Sequence, residues 1–541
     1  MNSLFKQFFE KPILILLAVN ILTGLFIFRE YGLSWDEPLF YDYSDALGYA
    51  YSPSEWFSGN FDLENSYGPS AEDHKTRGPA YLFLARGFVY GLNALGSDEA
   101  SAWHLINFLF FQLGVYFLYR LSTRWMEPSA ALAASAFFSY QPLLWGHAFI
   151  NPKDPPFLVF FLASVCLGFE MVDALATNAS SKKSKVIIAA FCLGIATSIR
   201  VLGPLAGLIV VVYALVSARL KLKSQATLTK PAEADINSLP RLKRFTRPLA
   251  MYALFAIVVT FATWPYLWEN PLTRLIETIR LMSDNPTQLA VLFNGEVFRA
   301  DDMPRRYLPF MLAVTLTEPT WILFFIGVAA GFGKLFKTKS HTKDIVSLTL
   351  ILGWFIIPVG YVLIQQPAVY DGLRHFLFIV PPIFIFIGFV FELMSEAVSP
   401  AWLRAGTILL ILFPGIVGIA KLQPYEYTYY NSFIGGTSGA FRQYETDYWL
   451  TCYKEAVERF NEQFIEPVNL FVHREGYIAE YYASENINVR DLRGAVSEVE
   501  SGDYVLVNTR TNEDRSTFRD ATPVLQVRRG DAVFCEIKKI P

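Results

Sequence analysis

The sequence predicts a polytopic α-helical membrane protein with a small α/β domain at its C-terminal end. Of the 541 residues, 53% are hydrophobic and only 18% are charged, whereas about 25% of residues are charged in an ordinary soluble domain. The apolar residues fall into long runs without charges, and about 20 such residues cross the roughly 30 Å of hydrocarbon in a bilayer. Residues 421–541 instead alternate between short helical and strand-like patterns.

We expect about eleven transmembrane helices. The stretch 186–218 contains Arg200 as its only charged residue and has basic residues on both sides. Because basic flanks remain cytoplasmic, this stretch must turn back near Arg200 and counts as two crossings. The predicted crossings are 12–28, 100–119, 128–150, 155–172, 186–199, 201–218, 248–266, 310–333, 345–366, 375–391 and 402–420.

Charged residues set the predicted orientation. Segment 219–247 holds eight basic residues against two acidic ones, whereas segment 29–76 holds ten acidic residues against two basic ones. Cytoplasmic loops carry the excess of Lys and Arg, so the N-terminus is predicted to be cytoplasmic and the C-terminal region extracytoplasmic. The first apolar run lacks a small-residue cleavage site and is expected to be a retained anchor.

Two domains are expected. Residues 1–420 hold the crossings and an outside loop, 29–99, with interfacial helices, whereas residues 421–541 form a compact α/β domain. This second domain has no GxGxxG or P-loop motif, so nucleotide binding has no support. Of the four cysteines, Cys452 and Cys535 leave one disulfide bridge open.

Net charge and motif spacing argue against several functions. The formal net charge of −3 indicates no nucleic-acid partner. The six histidines show no HExxH spacing, which weakens metal ligation by a histidine cluster. No GxSxG motif stands beside a plausible triad, which argues against an intramembrane serine hydrolase.

The outside loop opens with "YGLSWDEPLFYDYSDA", which places Asp36 and Glu37 just beyond the first crossing. Adjacent carboxylates at a membrane surface can act as a general base and as a hydrogen-bonding or metal-binding partner. The alternative is a solvated acidic loop. Trp35 and Pro38 make free solvation less favourable, because aromatic residues anchor at the interface and proline fixes the backbone.

Further along this loop, "EDHKTRGPAYLFLARGF" places His74, Lys75 and Arg77 just before an apolar, aromatic helix that lies on the membrane surface. Cations at the start of an interfacial helix suit an anionic lipid headgroup or a phosphate. The alternative is generic anchoring at the membrane surface.

Three other outer turns carry candidate residues. Lys153 and Asp154 stand between prolines in "WGHAFINPKDPPFL", where ionisable groups need partners. Arg200 and Arg374 lie at the outer ends of crossings, where Arg can bind phosphate bidentately or serve as an ordinary anchor. His375 follows Arg374 directly and is a further candidate.

Together these motifs resemble GT-C glycosyltransferases, and among them the dolichyl-phosphate-mannose protein mannosyltransferase and aminoarabinose transferase group. The shared features are an Asp-Glu after the first crossing, a basic-Pro surface helix, a second Asp before Pro and an Arg before a Pro-Pro helix. The chain departs from the pattern with Gly78-Pro79 where many relatives have Pro-Pro, and with Lys153 before the second Asp. It also lacks the β-trefoil insertion of the eukaryotic enzymes.

The resemblance implies transfer of a sugar, with inversion, from a polyprenyl-phosphate donor to a protein, lipid or glycan acceptor at the periplasmic face of a bacterial inner membrane. By position, Asp36 matches the catalytic base, Glu37 its neighbour and Asp154 the second acidic residue. The candidates for holding the donor phosphate are Lys75, Arg77, Lys153, Arg200 and Arg374.

A divalent cation, Mg²⁺ or Mn²⁺, is a further option at the paired acids Asp36 and Asp154, although a Lys or Arg can serve the same phosphate. Two other functions remain open from the sequence. A polytopic transporter keeps functional charges or broken helices near the midplane, whereas most charges here fall at one surface. A non-catalytic envelope scaffold would use the C-terminal domain to bind a partner.

Overall fold

The computed structural model describes residues 11–177, 182–226, 238–283, 288–337, 342–464 and 466–541. These residues are mostly helical and end in a β-sheet, which confirms the predicted fold class. Six helices of the described chain are long and apolar enough to cross a membrane: Glu99–Ser122, Asp154–Thr177, Phe245–Ala262, Thr320–Lys337, Thr342–Gln365 and Ala401–Leu422. Shorter apolar helices cover Ile13–Ile27, Pro128–Ser139 and Pro204–Leu220, so the number of eleven crossings stays a prediction.

Two of the predicted crossings are each divided into two helices. Pro142 and Pro319 stand at the breaks, because proline lacks the amide hydrogen that would continue the preceding helix. The Gln141 side chain of the first break donates a hydrogen bond to the Thr317 hydroxyl of the second at 3.0 Å. The structure thus differs from the continuous helices predicted over 128–150 and 310–333. The four observed helices are Pro128–Ser139, Pro142–Ile150, Tyr307–Thr315 and Thr320–Lys337.

The other helices of residues 11–422 belong to the outer loops or complete the bundle. One of them, Ala80–Ala94, begins directly after Pro79 and leaves Phe83 and Phe88 exposed, as an interfacial helix does. The others are Glu37–Ala50, Pro53–Trp56, Ala71–His74, Lys182–Ile199, Pro271–Ser283 and Pro381–Ala397. At their full lengths, two of the apolar helices named above are Pro204–Ala226 and Ser238–Ala262.

Helix Asp154–Thr177 forms the centre of the bundle. Nearly all of its residues are buried, as expected for a helix that is apolar on every face. One end is held by ion pairs of its Glu170 with Arg120 at 2.6 Å and of its Asp173 with Arg124 at 2.7 Å. Its first residue, Asp154, is thereby fixed at the opposite mouth of the bundle. The basic segment 219–247, which predicts the orientation, lies partly outside the described residues.

The C-terminal region contains a five-stranded sheet, as the strand patterns predict. Before it, a separate hairpin comprises β1 (Ala290–Phe293) and β2 (Glu296–Arg299). The strands of the sheet are β3 (Val468–Val472), β4 (Ile487–Asp491), β5 (Tyr504–Asn508), β6 (Thr522–Arg529) and β7 (Ala532–Lys539). Their order is β4-β3-β5-β7-β6, with β4, β3 and β5 parallel and β7 antiparallel to both of its neighbours.

Four short helices accompany this sheet: Gly436–Ala440, Cys452–Asn461, Gly476–Tyr482 and Leu492–Ala495. A disulfide between Cys452 and Cys535 fastens one of them to β7, with Cα atoms 6.2 Å apart. The carboxyl ends of β3 and β5 face the bundle, because Tyr477 and Arg510, which follow these strands, both contact residues of the bundle's outer loops.

Glu426 connects the C-terminal region to the segment that follows the first helix, Ile13–Ile27. Its carboxyl group is fully buried and accepts a hydrogen bond from the Tyr31 hydroxyl at 2.8 Å. Burial raises the pKa of Glu426 to about 8. The folded chain therefore binds a proton at this carboxyl over a pH range in which the unfolded chain has released it.

A neutral replacement of Glu426 is expected to stabilise the protein at high pH. Because the carboxyl pKa is higher in the folded chain, the stability that this residue contributes falls as the pH rises from its ordinary pKa toward about 8. Relative to wild type, Glu426→Gln should raise Tm by about 2 °C or more at about pH 8.5, and by much less at about pH 5. Thermal unfolding in nanodiscs measures both differences, with the exposed Glu480→Gln as control. An equal difference at both pH values would contradict the prediction.

Candidate active site

The turn that carries Asp36 is held in place by the C-terminal region. The Trp35 amide donates a hydrogen bond to the Trp449 carbonyl oxygen at 3.2 Å. The Tyr477 hydroxyl donates to the Trp35 carbonyl oxygen at 2.6 Å. The Asp36 side chain remains 22% exposed. Its carboxylate is therefore fixed in position and still accessible to a bound molecule.

Arg374 holds this carboxylate from the other side of the site. Its Nη1 donates a hydrogen bond to Asp36 Oδ2 at 3.3 Å, and its Nη2 lies 3.0 Å from Asp371 Oδ2. The guanidinium carbon lies 4.5 Å from the ring centre of Trp449 and 4.9 Å from that of Tyr370. Two acids and two aromatic rings thus fix the orientation of Arg374.

A second acid–arginine pair stands at the adjacent helix ends. Asp154, the first residue of its helix, accepts a short hydrogen bond from Arg200, which follows helix Lys182–Ile199. The Asn151 side chain donates to Asp154 Oδ2 at 2.9 Å and accepts from the amides of Lys153 and Asp154 at 3.0 and 2.9 Å. This local turn fixes the Asp154 carboxylate at the mouth of the bundle.

Lys153 brings the two pairs into one site. Burial lowers the pKa of the Lys153 ammonium below its usual range, and the nearby cations Arg77 and Arg200 lower it further. The charges of Asp154 and Asp36 oppose this shift. Residues from three sequence-distant loops therefore lie close enough to interact electrostatically.

Two of these cations have no partner among the described residues. Within the described parts of the chain, neither the Arg77 guanidinium nor the Lys153 ammonium has a hydrogen bond or an ion pair. Arg200 and Arg374, by contrast, are occupied by Asp154 and Asp36. A phosphate group placed between Arg77 and Lys153 would give both a partner through charge-assisted hydrogen bonds, and its negative charge would favour the protonated form of Lys153.

Glu37 points away from this group of charges. Its carboxylate is fully buried and accepts hydrogen bonds from the Ser34 amide at 2.7 Å and from the Tyr41 hydroxyl at 2.8 Å. The His104 ring nitrogen lies 3.2 Å away. These contacts hold in place the start of helix Glu37–Ala50, which directly follows Asp36.

The remaining predicted residues divide between two environments. The His74 ring bonds with the Tyr67 carbonyl oxygen at 3.1 Å, and the Lys75 ammonium lies 3.4 Å from the Glu64 carboxylate, so these two side-chain contacts stay within the outside loop. His375 instead lies edge-on to a tyrosine ring at 4.7 Å and interacts electrostatically with the Arg374 and Asp154 charges.

The residues present do not fit a metal ion. In the part of the chain that the structure describes, no group of three or more His, Cys, Asp or Glu side chains is suited to hold one. Asp36 and Asp154 each face an arginine, which supplies the positive charge that a divalent cation would bring. The Mg²⁺ or Mn²⁺ considered from the sequence therefore has no support in this arrangement.

The sequence interpretation missed several residues of the site. Asp371 stands three residues before Arg374, a spacing that could have indicated their ion pair. Trp449 and Arg510 belong to the C-terminal region, and no local pattern indicates that they reach the outer mouth of the bundle. His104 lies within a predicted crossing, where only the fold shows that it faces Glu37.

Comparison with known proteins finds a likeness in structure alone. No family model and no curated protein matches the sequence. The Archaeoglobus fulgidus oligosaccharyltransferase AglB, solved with an inhibitory peptide and a dolichol-phosphate, matches over 93% of this chain and 70% of its own, with 11% identity and a TM-score of 0.46. A structure of an Archaeoglobus fulgidus oligosaccharyltransferase with Zn and sulfate matches over 85% and 58%, with 11% identity and a TM-score of 0.42.

The arabinofuranosyltransferase AftD from Mycobacteria matches over 97% of this chain but only 41% of its own length, with 13% identity and a TM-score of 0.43. These structural neighbours are titled as oligosaccharyltransferases and as an arabinofuranosyltransferase. None is titled a protein mannosyltransferase or an aminoarabinose transferase, so that narrower group stays a prediction. At these TM-scores the likeness does not by itself assign an activity to this chain.

Gly78 allows the turn at Arg77 to pack against the end of helix Lys182–Ile199. A Cβ atom on Gly78 would overlap the carbonyl oxygen of Ser198. This close approach explains the departure from a Pro-Pro pair, because a proline ring would collide at the same point. Gly78 thereby keeps the Arg77 turn packed against the end of this helix at Ser198, two residues before Arg200.

Replacement of Gly78 by alanine is expected to separate the Arg77 turn from the helix end. The overlap should lower the free energy of unfolding by about 1–3 kcal/mol, as overpacking of a close contact does. Chemical or thermal unfolding of Gly78→Ala measures this loss. Gly87→Ala is the matched control, because its Cβ would meet nothing within 4 Å and alanine favours the helix. Equal stability of both variants would contradict the role of Gly78.

Proposed function

We propose that this protein is a membrane glycosyltransferase that transfers a sugar from a polyprenyl-phosphate donor to an acceptor on the extracytoplasmic face. The observation that carries the proposal is that Arg77 and Lys153, beside Asp36 and Asp154, have no partner among the described residues. A donor phosphate at this position would satisfy both cations.

The position of the charges at the helix ends suits a lipid-linked donor. Such a molecule has an apolar tail that needs the bilayer and a charged headgroup that needs polar contacts at its surface. The surface helix Ala80–Ala94 begins three residues after Arg77 and leaves Phe83 and Phe88 exposed. We propose that the polyprenyl chain runs along these aromatic side chains.

The proposed reaction is a single displacement with inversion. An acceptor oxygen attacks the anomeric carbon of the sugar as the bond from that carbon to the phosphate oxygen breaks. Asp36 takes the proton that the acceptor loses, and polyprenyl phosphate leaves. Arg77 and Lys153 stabilise the negative charge that grows on the departing phosphate, while Arg374 keeps the Asp36 carboxylate oriented.

We further propose that residues 1–420 form the membrane domain and residues 421–541 a periplasmic domain of a bacterial inner-membrane protein with a cytoplasmic N-terminus. The Cys452–Cys535 disulfide supports this orientation, because such bridges persist in oxidising compartments. The assignment to a bacterial inner membrane follows from the GT-C resemblance and from the lack of eukaryotic insertions.

Loss of the Asp36 base is expected to abolish most of the turnover. General-base catalysis contributes about 10²–10⁴-fold, so Asp36→Asn should lose a similar factor while the protein remains as abundant as wild type. The assay is release of polyprenyl phosphate from a panel of synthetic polyprenyl-phosphate sugars in proteoliposomes. Asp42→Asn, which alters an exposed carboxyl of the same loop, is the control. Wild-type turnover of Asp36→Asn would contradict the mechanism.

Loss of either unpartnered cation is expected to weaken binding of the lipid phosphate. Arg77→Met and Lys153→Met should each raise the Kd for undecaprenyl phosphate about tenfold, since each removes one charge-assisted hydrogen bond. Native mass spectrometry of the protein in nanodiscs measures this Kd. Arg29→Met removes an exposed cation at the end of the first helix and should leave Kd unchanged. The same Kd for all four proteins would rule out this phosphate site.

A further inference from the structure

A buried arginine at the carboxyl end of strand β5 reaches the membrane bundle. The Arg510 side chain is only 3% exposed. Its Nε donates a hydrogen bond to Glu445 Oε1 at 3.0 Å, and its Nη2 donates to Asp371 Oδ1 at 2.6 Å. Its guanidinium carbon lies 5.1 Å from the ring centre of Trp35, the residue before Asp36.

Asp371 links Arg510 to Arg374. The Asp371 carboxylate is fully buried, with Oδ1 bound to Arg510 and Oδ2 3.0 Å from Arg374. Its backbone has a φ of 55°, in the left-handed region that side chains rarely adopt. The amide of the next residue, Gly372, donates a hydrogen bond to the Tyr307 hydroxyl at 2.9 Å and helps to hold this conformation.

The charges along this chain alternate from the C-terminal region to Asp36. Arg374 stands between two carboxylates, Asp371 and Asp36. Arg510 neutralises part of the Asp371 charge and occupies one of its oxygens. Without Arg510, the buried Asp371 would have Arg374 as its remaining cation and would draw that guanidinium away from Asp36, because an unpaired charge is costly in a buried site.

We propose that Arg510 is a positioning residue that sets the reach of Arg374 toward Asp36. The inference rests on the proposed glycosyltransferase function. It assigns the C-terminal region a part in the reaction: its sheet holds Arg510, Arg510 holds Asp371, and Asp371 sets the place of Arg374. Neither Arg510 nor Glu445, its second carboxylate partner, touches the substrate.

Arg442 provides a matched comparison within the same region. Its two amino groups bind the Asp514 carboxylate at 2.6 and 2.5 Å, and its described ion pair is with that carboxylate alone. Arg442→Met therefore removes a bidentate ion pair of the C-terminal region without altering the Asp371 carboxylate. A general loosening of this region would affect Arg442→Met and Arg510→Met alike.

The test compares Arg510→Met, Arg510→Lys and Arg442→Met in the full chain in nanodiscs. The readouts are Tm, the amount of undecaprenyl phosphate bound at saturation, and kcat and KM with a polyprenyl-phosphate sugar that the wild type consumes. The saturation value counts the folded sites, so kcat is expressed per folded molecule.

Arg510→Met should lower kcat about 10- to 100-fold, as a misplacement of about 1 Å does, with KM changed less than about threefold. Arg510→Lys keeps the positive charge without the planar guanidinium, so its kcat should lie between those of Arg510→Met and wild type. Arg442→Met should keep wild-type kcat even where its Tm falls. If Arg510→Met does not fold, Glu445→Gln, which weakens the hold on Arg510 from its other side, should show a smaller fall in kcat.

Equal kcat per folded molecule in the Arg510 and Arg442 variants, together with an inactive Asp36→Asn, would overturn the positioning role and leave the proposed function intact. A wild type that consumes none of the donors and binds no undecaprenyl phosphate would overturn both. A fall confined to KM would also contradict the positioning role, because it would place the effect in donor binding rather than in the orientation of Arg374.

Discussion

The candidate site depends on the pairing of Asp36 and of Asp154, at one mouth of the helix bundle, with an arginine each. Ionisable groups at the end of a membrane helix are costly unless they have partners. Arg374 holds Asp36, and Arg200 holds Asp154. The two pairs join loops that are far apart in sequence, so they fix the geometry of the mouth as well as its charge.

The two remaining cations, Arg77 and Lys153, make this mouth of the bundle a candidate phosphate site. No described carboxylate forms an ion pair with Arg77 or Lys153, and a lipid phosphate would supply both a partner for these side chains and an apolar tail for the surrounding bilayer. A transporter would place functional charges near the midplane. Within the bundle, the described hydrogen bond from Asn20 of helix Ile13–Ile27 to Gln112 of helix Glu99–Ser122, at 2.9 Å, joins two uncharged side chains. This contrast favours an enzyme at the membrane surface.

Local patterns in the sequence predicted the helices and the α/β character of the C-terminal region, and they marked Asp36, Asp154, Arg200 and Arg374 as candidates without pairing them. Apolar runs and charges at helix ends are local signals, which explains this success. The sequence did not distinguish the environment of Glu37 from that of Asp36. The difference arises because a helix begins at Glu37 and buries its side chain. The contact of Asp371 with Arg510 joins residues 139 positions apart, and the fold alone brings them together.

The most direct test of this account is a cryo-electron microscopy structure of the full chain in nanodiscs with undecaprenyl phosphate. The account predicts density for the phosphate within about 3 Å of both the Arg77 guanidinium and the Lys153 ammonium, as charge-assisted hydrogen bonds require. The prenyl chain should extend along helix Ala80–Ala94. A phosphate bound elsewhere on the protein, or Arg77 and Lys153 left unoccupied beside a bound lipid, would contradict the central claim.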